Sequence, residues 1–128
     1  MIKEHLPVDS CGLGEGPLWH PKLELLFWFD INACKMFCWK GNELMVWNFS
    51  EPVSAAGWID DENLIVASAS SLIKLSLESD HRKVLVDLEA DMQHTRSNDG
   101  RADPWGGFWI GTMGLKAEKE AGSIYRFY

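Results

Sequence analysis

An all-β fold made of repeated four-strand units is predicted by three features of this 128-residue sequence. The apolar residues come in short runs of strand length. No stretch of a dozen residues holds the apolar stripe of a capped helix. The runs recur with a longer period of about 40 residues.

The runs lie at 23–30, 35–40, 43–49, 53–59, 63–69, 72–77, 83–88, 107–113 and 123–128. They are rich in Val, Ile, Phe, Trp and Tyr, residues that suit a pleated, half-buried surface. Turn punctuation separates them, as in Lys40-Gly41-Asn42, Asp60-Asp61-Glu62-Asn63 and Ser79-Asp80-His81. Within the runs, Lys35-Met36-Phe37-Cys38-Trp39 and Leu72-Ile73-Lys74-Leu75-Ser76-Leu77 alternate with the two-residue period of a sheet. A further segment at 2–8 contains Pro7, which confines it to a sheet edge.

The longer period narrows the architecture. Trp19-His20-Pro21, Trp58-Ile59-Asp60 and Ala102-Asp103-Pro104 each precede a strongly apolar run, and their starts are 39 and 44 residues apart. A unit of that length holding four short strands is a β-propeller blade. Residues 1–128 therefore read as a portion of one propeller domain, with blade units at roughly 11–49, 52–88 and 96–128, or about two and a half to three blades. Closed propellers have four to eight blades, so the expectation is a longer parent protein or association with another chain. Trp19, Trp28, Trp58 and Trp109 occupy repeat-equivalent or strand positions and are predicted to pack blade against blade rather than to stack on sugars.

Composition excludes several classes of function. A 46% hydrophobic content rules out a disordered chain, and a net charge of -7 without a Lys/Arg cluster argues against a nucleic-acid surface. No run approaches the apolar length of a membrane helix, and Met1 to His5 does not open like a signal peptide, so a cytoplasmic location is expected. Cys11, Cys34 and Cys38 are read as reduced packing residues, the last two pointing the same way on one strand.

Two polar stretches do not read as core. Gly14-Glu15-Gly16-Pro17 sets one carboxylate between glycines; Arg96-Ser97-Asn98-Asp99-Gly100-Arg101-Ala102-Asp103-Pro104 packs a guanidinium, an amide and two carboxylates into what reads as a turn. Such groups, presented by loops on a rigid sheet, suit a polar ligand. Asp99 and Asp103 are assigned to capping turns that aim Asn98 inward. His20, His81 and His94 fall in predicted loops without a partner at ligand spacing. Dinucleotide binding fails because proline stands where the third glycine belongs, and serine-hydrolase chemistry fails for want of a nucleophile elbow.

Gly14-Glu15-Gly16-Pro17-Leu18-Trp19, Leu26-Phe27-Trp28-Phe29-Asp30-Ile31, Pro52-Val53-Ser54 and above all the run from Arg96 to Met113 resemble, in order and spacing, the amino-terminal part of the regucalcin (senescence marker protein) and gluconolactonase family. The resemblance implies a six-bladed propeller that binds one divalent cation, calcium or zinc, near its axis and hydrolyses sugar lactones. Residue by residue, it implies that Glu15 is a metal ligand and that Arg96, Asn98 and Glu118 line the substrate pocket. The family's other metal ligands, an asparagine and an aspartate, come from later blades, where the general base is also sought. One ligand does not satisfy calcium or zinc, so neither tight metal binding nor turnover is expected of these 128 residues alone. The alternative is a propeller that binds calcium or carbohydrate without turnover. No membrane or nucleic-acid partner is expected, and the strand edge at 124–128 is expected to promote self-association.

Overall fold

The computed structural model describes Met1 and residues 5–128 and contains eleven strands. β1 (Gly14–His20), β2 (Leu25–Asp30), β3 (Lys35–Lys40) and β4 (Glu43–Asn48) form one antiparallel sheet in chain order. β5 (Val53–Trp58), β6 (Asn63–Ser68), β7 (Ser71–Ser76) and β8 (Arg82–Asp87) form a second, and β9 (Thr95–Ala102), β10 (Phe108–Gly114) and β11 (Ile124–Phe127) a third. The sheets are consecutive up-and-down blades of a propeller, two with four strands and one with three. No helix occurs among the described residues.

All nine predicted runs form strands, to within a residue or two at their ends. β1 and β9 depart from the reading of 14–17 and 96–104 as loops. Both are the inner strands of their sheets, and their polar residues line a cavity instead of a core. Each also carries an irregularity that mimics a turn in sequence: Gly16 at φ 62° in β1 and the Asn98-Asp99-Gly100 triplet in β9. Of the segment at 2–8, residues 2–4 lie outside the described residues, and 5–13 contain no strand.

Three further residues differ from expectation. His20 belongs to β1 rather than a loop; it is fully buried, its Nδ1 accepts the Leu23 N–H at 3.3 Å, and its ring stacks on Trp58 at 4.7 Å. Cys34 lies in the β2–β3 turn at φ 56° rather than on β3, while Cys38 is buried and its thiol is pushed up to about 12 by that burial. The tryptophans divide: Trp47 is core and Trp28 stacks on Phe37, whereas Trp19, Trp58 and Trp109 stay about half exposed.

The core follows from strands that bury both faces. Along β6, Leu64 and Val66 pack toward Phe27, Phe29 and Met36 of the first sheet. Ile65 and Ala67 face the other way, with Phe108 and Ile110 of the third. Two-residue alternation thus feeds two cores from one strand, which is why β6 reads as a continuous apolar run. The inner strands β1, β5 and β9 neighbour one another around a common axis.

Asp103, in the β9–β10 connection, secures the end of the third sheet away from the bulge. Its carboxylate accepts the N–H groups of Trp105 and Gly107 at 2.9 Å, the Trp109 indole at 3.0 Å and Arg126 Nε of β11 at 2.8 Å. The Arg126 bond above all holds the Asp103 carboxyl far below the usual carboxylate range. Its stabilising contribution is therefore complete above the unfolded-chain value of about 4 and is lost as pH falls toward the folded value. Asp103→Asn is expected to lower the thermal midpoint at pH 7 and to flatten its fall between about pH 4 and pH 2. Melting curves across that range check both effects.

Gly16 permits the close approach of β1 to β5. A Cβ there would stand 2.5 Å from the Ser54 carbonyl oxygen and 2.9 Å from the Phe29 ring, on a backbone at φ 62°. Gly16→Ala is expected to destabilise the fold by about 2 kcal/mol or more, read from chemical denaturation.

Candidate functional site

Each inner strand carries one extra residue against its neighbour, and the extra residues fall where the site residues are. In β1, Glu15 pairs with Phe29 and Leu18 with Phe27, so Gly16 and Pro17 together oppose one residue. In β5, Val53 pairs with Ser68 and Ala55 with Ala67, leaving Ser54 unpaired. In β9, Ser97 pairs with Thr112 and Gly100 with Ile110, so Asn98 and Asp99 oppose Gly111 alone. A bulge breaks the strict alternation of a strand and re-aims the side chains beside it.

Ser97 shows how the site face is set. Its hydroxyl is 2.7 Å from that of Ser54, both side chains being buried between the second and third sheets. With Thr95 and Ser97 turned inward, Arg96 and Asn98 fall on the opposite face of β9. Arg96 Nη1 donates to the Ser97 carbonyl at 2.8 Å and, more weakly, to Asn98 Oδ1 at 3.4 Å. Partial burial draws the Arg96 guanidinium below its ordinary value, and the Glu15 carboxylate acts against that. The carboxylate of the first sheet and the guanidinium of the third thus share one electrostatic environment.

A cavity of about 620 Å³ opens at this junction, lined by Glu15, Trp19, Trp58, Asn98, Asp99 and Arg101 among others. A second recess, of about 740 Å³, is lined by Asn98, Thr112, Gly114 and Glu118. Asn98 stands in the wall of both. The structure therefore brings Glu15 and Asn98 together in one cavity wall, keeps Arg96 behind that wall with its guanidinium bonded to the Ser97 carbonyl and to Asn98 Oδ1, and sets Glu118 one recess further out. The Glu118 carboxylate accepts the Lys116 N–H at 3.2 Å and lies so close over Gly114 that any Cβ there would collide with it.

Trp19, Trp58 and Arg101, which line the cavity, escaped assignment to the site from sequence. A signal existed in the repeat: Glu15, Ser54 and Asn98 each stand four residues ahead of Trp19, Trp58 and Ala102, so the three bulged strands present equivalent positions. As a cation site the arrangement is incomplete. Glu15 offers one carboxylate, and among the described residues no group of three or more His, Cys, Asp or Glu side chains could hold a metal. Calcium takes six to eight oxygens and zinc four ligands, so Glu15 fits as one member of a set that these residues do not complete.

Residues 13–128 match the family described as SMP-30/Gluconolactonase/LRE-like region. The chain is 29% identical over 116 residues to the 6-deoxy-6-sulfogluconolactonase of Pseudomonas putida, covering 89% of this chain and 40% of that protein. It is 26% identical over 127 residues to regucalcin of Macaca fascicularis, covering 94% of this chain and 42% of that protein. Among solved structures, a regucalcin described as a calcium-binding protein from Agrobacterium tumefaciens superposes with a TM-score of 0.89 at 35% identity, covering 92% of this chain and 41% of that one. The chain thus spans about two-fifths of the length of the curated relatives it matches.

Proposed function

The chain belongs to the SMP-30/gluconolactonase/LRE-like family, and from that premise we propose that it forms part of the active site of a metal-dependent sugar-lactone hydrolase. The observation that carries this reading is the meeting of Glu15 and Asn98, at the bulges of two inner strands from different sheets, in the wall of one cavity, with the Arg96 guanidinium close enough to feel the Glu15 charge. Polar groups gathered from separate strands suit a small polar ligand held in a defined orientation.

In this reading Glu15 supplies one oxygen to a divalent cation, calcium or zinc, whose other ligands lie outside these residues. Such a cation, when bound, supplies Lewis-acid polarisation of a carbonyl. Arg96 donates from a fork of N–H groups fixed by its bond to the Ser97 carbonyl, and suits the ester oxygen or a hydroxyl of the lactone. Asn98 offers both a donor and an acceptor to sugar hydroxyls, and Glu118 accepts from a hydroxyl in the adjoining recess. None of these residues is assigned as the base that activates water. The same proposal places the protein in the cytoplasm, a reducing compartment that suits its three free thiols, Cys11, Cys34 and Cys38. No helix among the described residues is long and apolar enough to cross a membrane.

A second reading, a propeller that binds a cation or carbohydrate without turnover, is favoured by the Agrobacterium relative described as a calcium-binding protein. Kinetics separates the two. On the full-length protein, cation-dependent opening of aldonolactones is expected, with Glu15→Gln lowering kcat/KM on the order of 100-fold or more. Arg96→Gln is expected to raise KM about 10-fold. Cation binding with no lactone opening supports the second reading, and rates unchanged by Glu15→Gln reject Glu15 as a metal ligand.

The 128-residue chain taken alone is expected to self-associate through β11, which pairs only with β10 in its sheet and exposes Ile124 and Tyr125. Light scattering checks this, and a compact monomer at high concentration is the contrary result.

A further inference from the structure

One side chain outside both cavities holds all three strands of the third sheet at their site end. Glu89, in the β8–β9 connection, accepts the hydroxyl of Thr95 through Oε2 at 2.6 Å. Its Oε1 accepts the hydroxyls of Thr112 at 2.9 Å and Tyr125 at 2.8 Å. Those donors sit on β9, β10 and β11 respectively. Burial pushes the Glu89 carboxyl up, but the hydroxyls of Thr95, Tyr125 and Thr112 outweigh it and leave the carboxyl below its ordinary value.

Two of the three donors adjoin the site residues, and the third, Tyr125, pairs with Ile110 on the neighbouring strand. Thr95 immediately precedes Arg96. Thr112 pairs with Ser97, the last regular pair before the Asn98-Asp99 bulge. The Thr112 hydroxyl also accepts the Ser123 N–H at 2.8 Å, which fastens the far end of the loop that carries Glu118. Glu89 is itself anchored to the second sheet. Its neighbour Leu88 is buried and donates its N–H to the Ser70 carbonyl at 2.8 Å, and the Glu89 carbonyl accepts the Met92 N–H at 2.8 Å. Both carboxylate oxygens are occupied by neutral hydroxyls, an arrangement suited to holding strands together rather than to taking a ligand.

We propose that Glu89 is a positioning residue: by joining Thr95, Thr112 and Tyr125 it sets where Arg96, Asn98 and Glu118 stand, and it thereby governs affinity for the sugar lactone more than the rate of its opening. The affinity part rests on the lactone reading; the positional part does not. Glutamine suits the same place, because its amide oxygen accepts from Thr112 and Tyr125. The Thr95 hydroxyl then accepts from the amide nitrogen while donating to the Met92 carbonyl, already 3.4 Å away. Alanine offers none of this.

The test compares Glu89→Ala, Glu89→Gln and Tyr125→Phe with the wild type in the full-length protein, by amide hydrogen exchange and by steady-state kinetics well below the melting temperature. Glu89→Ala is expected to speed exchange across 95–102 by about 10-fold while 25–40 in the first sheet stays unchanged. The glutamine variant is expected to exchange like the wild type and the phenylalanine variant at an intermediate rate. With aldonolactone as probe, Glu89→Ala is expected to raise KM about 5-fold or more with kcat within about 2-fold, and Glu89→Gln to restore KM. Wild-type exchange across 95–102 in Glu89→Ala overturns the positional role. A fall in kcat at unchanged KM, as from a smaller folded fraction, overturns the affinity role. If the wild type opens no lactone, the functional reading fails while the exchange data still decide the placement. Should Glu89→Ala not fold, Tyr125→Phe, which removes one hydroxyl and keeps the ring, carries the same comparison.

Discussion

The inner strand of the middle sheet has no free face, and much of the structure follows from that crowding. β5 runs between β1 and β9, and Val53, Ser54, Ala55 and Ala56 are all buried, none more than 5% exposed. A Cβ at Gly57 would stand 3.0 Å from that of Ala102. Such an approach admits only small side chains, hence Ser54-Ala55-Ala56-Gly57. Close-packed backbones leave the flanking strands few positions, so Glu15 on one side and Asn98 on the other are held in fixed relation. The Ser54–Ser97 hydroxyl pair satisfies the polar atoms that this packing buries.

Polar satisfaction at the site end repeats from sheet to sheet. The Asp30 carboxylate accepts the N–H groups of Gly12 at 2.9 Å and Leu13 at 3.1 Å, and so ties the approach to β1 to the β2–β3 turn. Glu51 does the equivalent ahead of β5 through the N–H of Ser70 at 3.0 Å and the hydroxyl of Ser68. Glu89 does it ahead of β9, using hydroxyl donors only. Connections between sheets expose backbone groups that the strands cannot pair, and an acidic side chain at each joint satisfies them or locks a neighbouring hydroxyl. This gives Asp30, Glu51 and Glu89, three of the chain's 19 acidic side chains, a structural use apart from any attraction of a cation by Glu15.

The central strands were legible because their constraint is local. β2, β3, β6 and β7 each bury at least one face against a neighbouring sheet, and the alternation of Leu, Phe, Val and Ile records it directly. β1 and β9 were not legible, although they hold the site. Their polar residues face a cavity formed by other sheets, so hydrophobic periodicity is absent, and the glycine and proline that permit their bulges are the residues that mark turns elsewhere. The tryptophans misled for a related reason: repeat-equivalent position says that residues share a place in the sheet, not that the place is buried, and Trp19 and Trp58 line the cavity.

By itself the sequence determined the all-β class, the period of the sheets, and Glu15, Arg96 and Asn98 as polar residues out of place in a core, because composition and spacing act within one strand or one turn; Glu118 came only from the resemblance. Only the tertiary structure decided which of them meet. Glu15 and Asn98 are some eighty residues apart in sequence and share a cavity because β1, β5 and β9 converge on one axis, and Glu118 stands a recess away because its loop hangs from Thr112 and Ser123. Convergence of that kind depends on backbone approach and on one extra residue per inner strand, quantities set by how whole sheets pack against each other and not by any short stretch of chain.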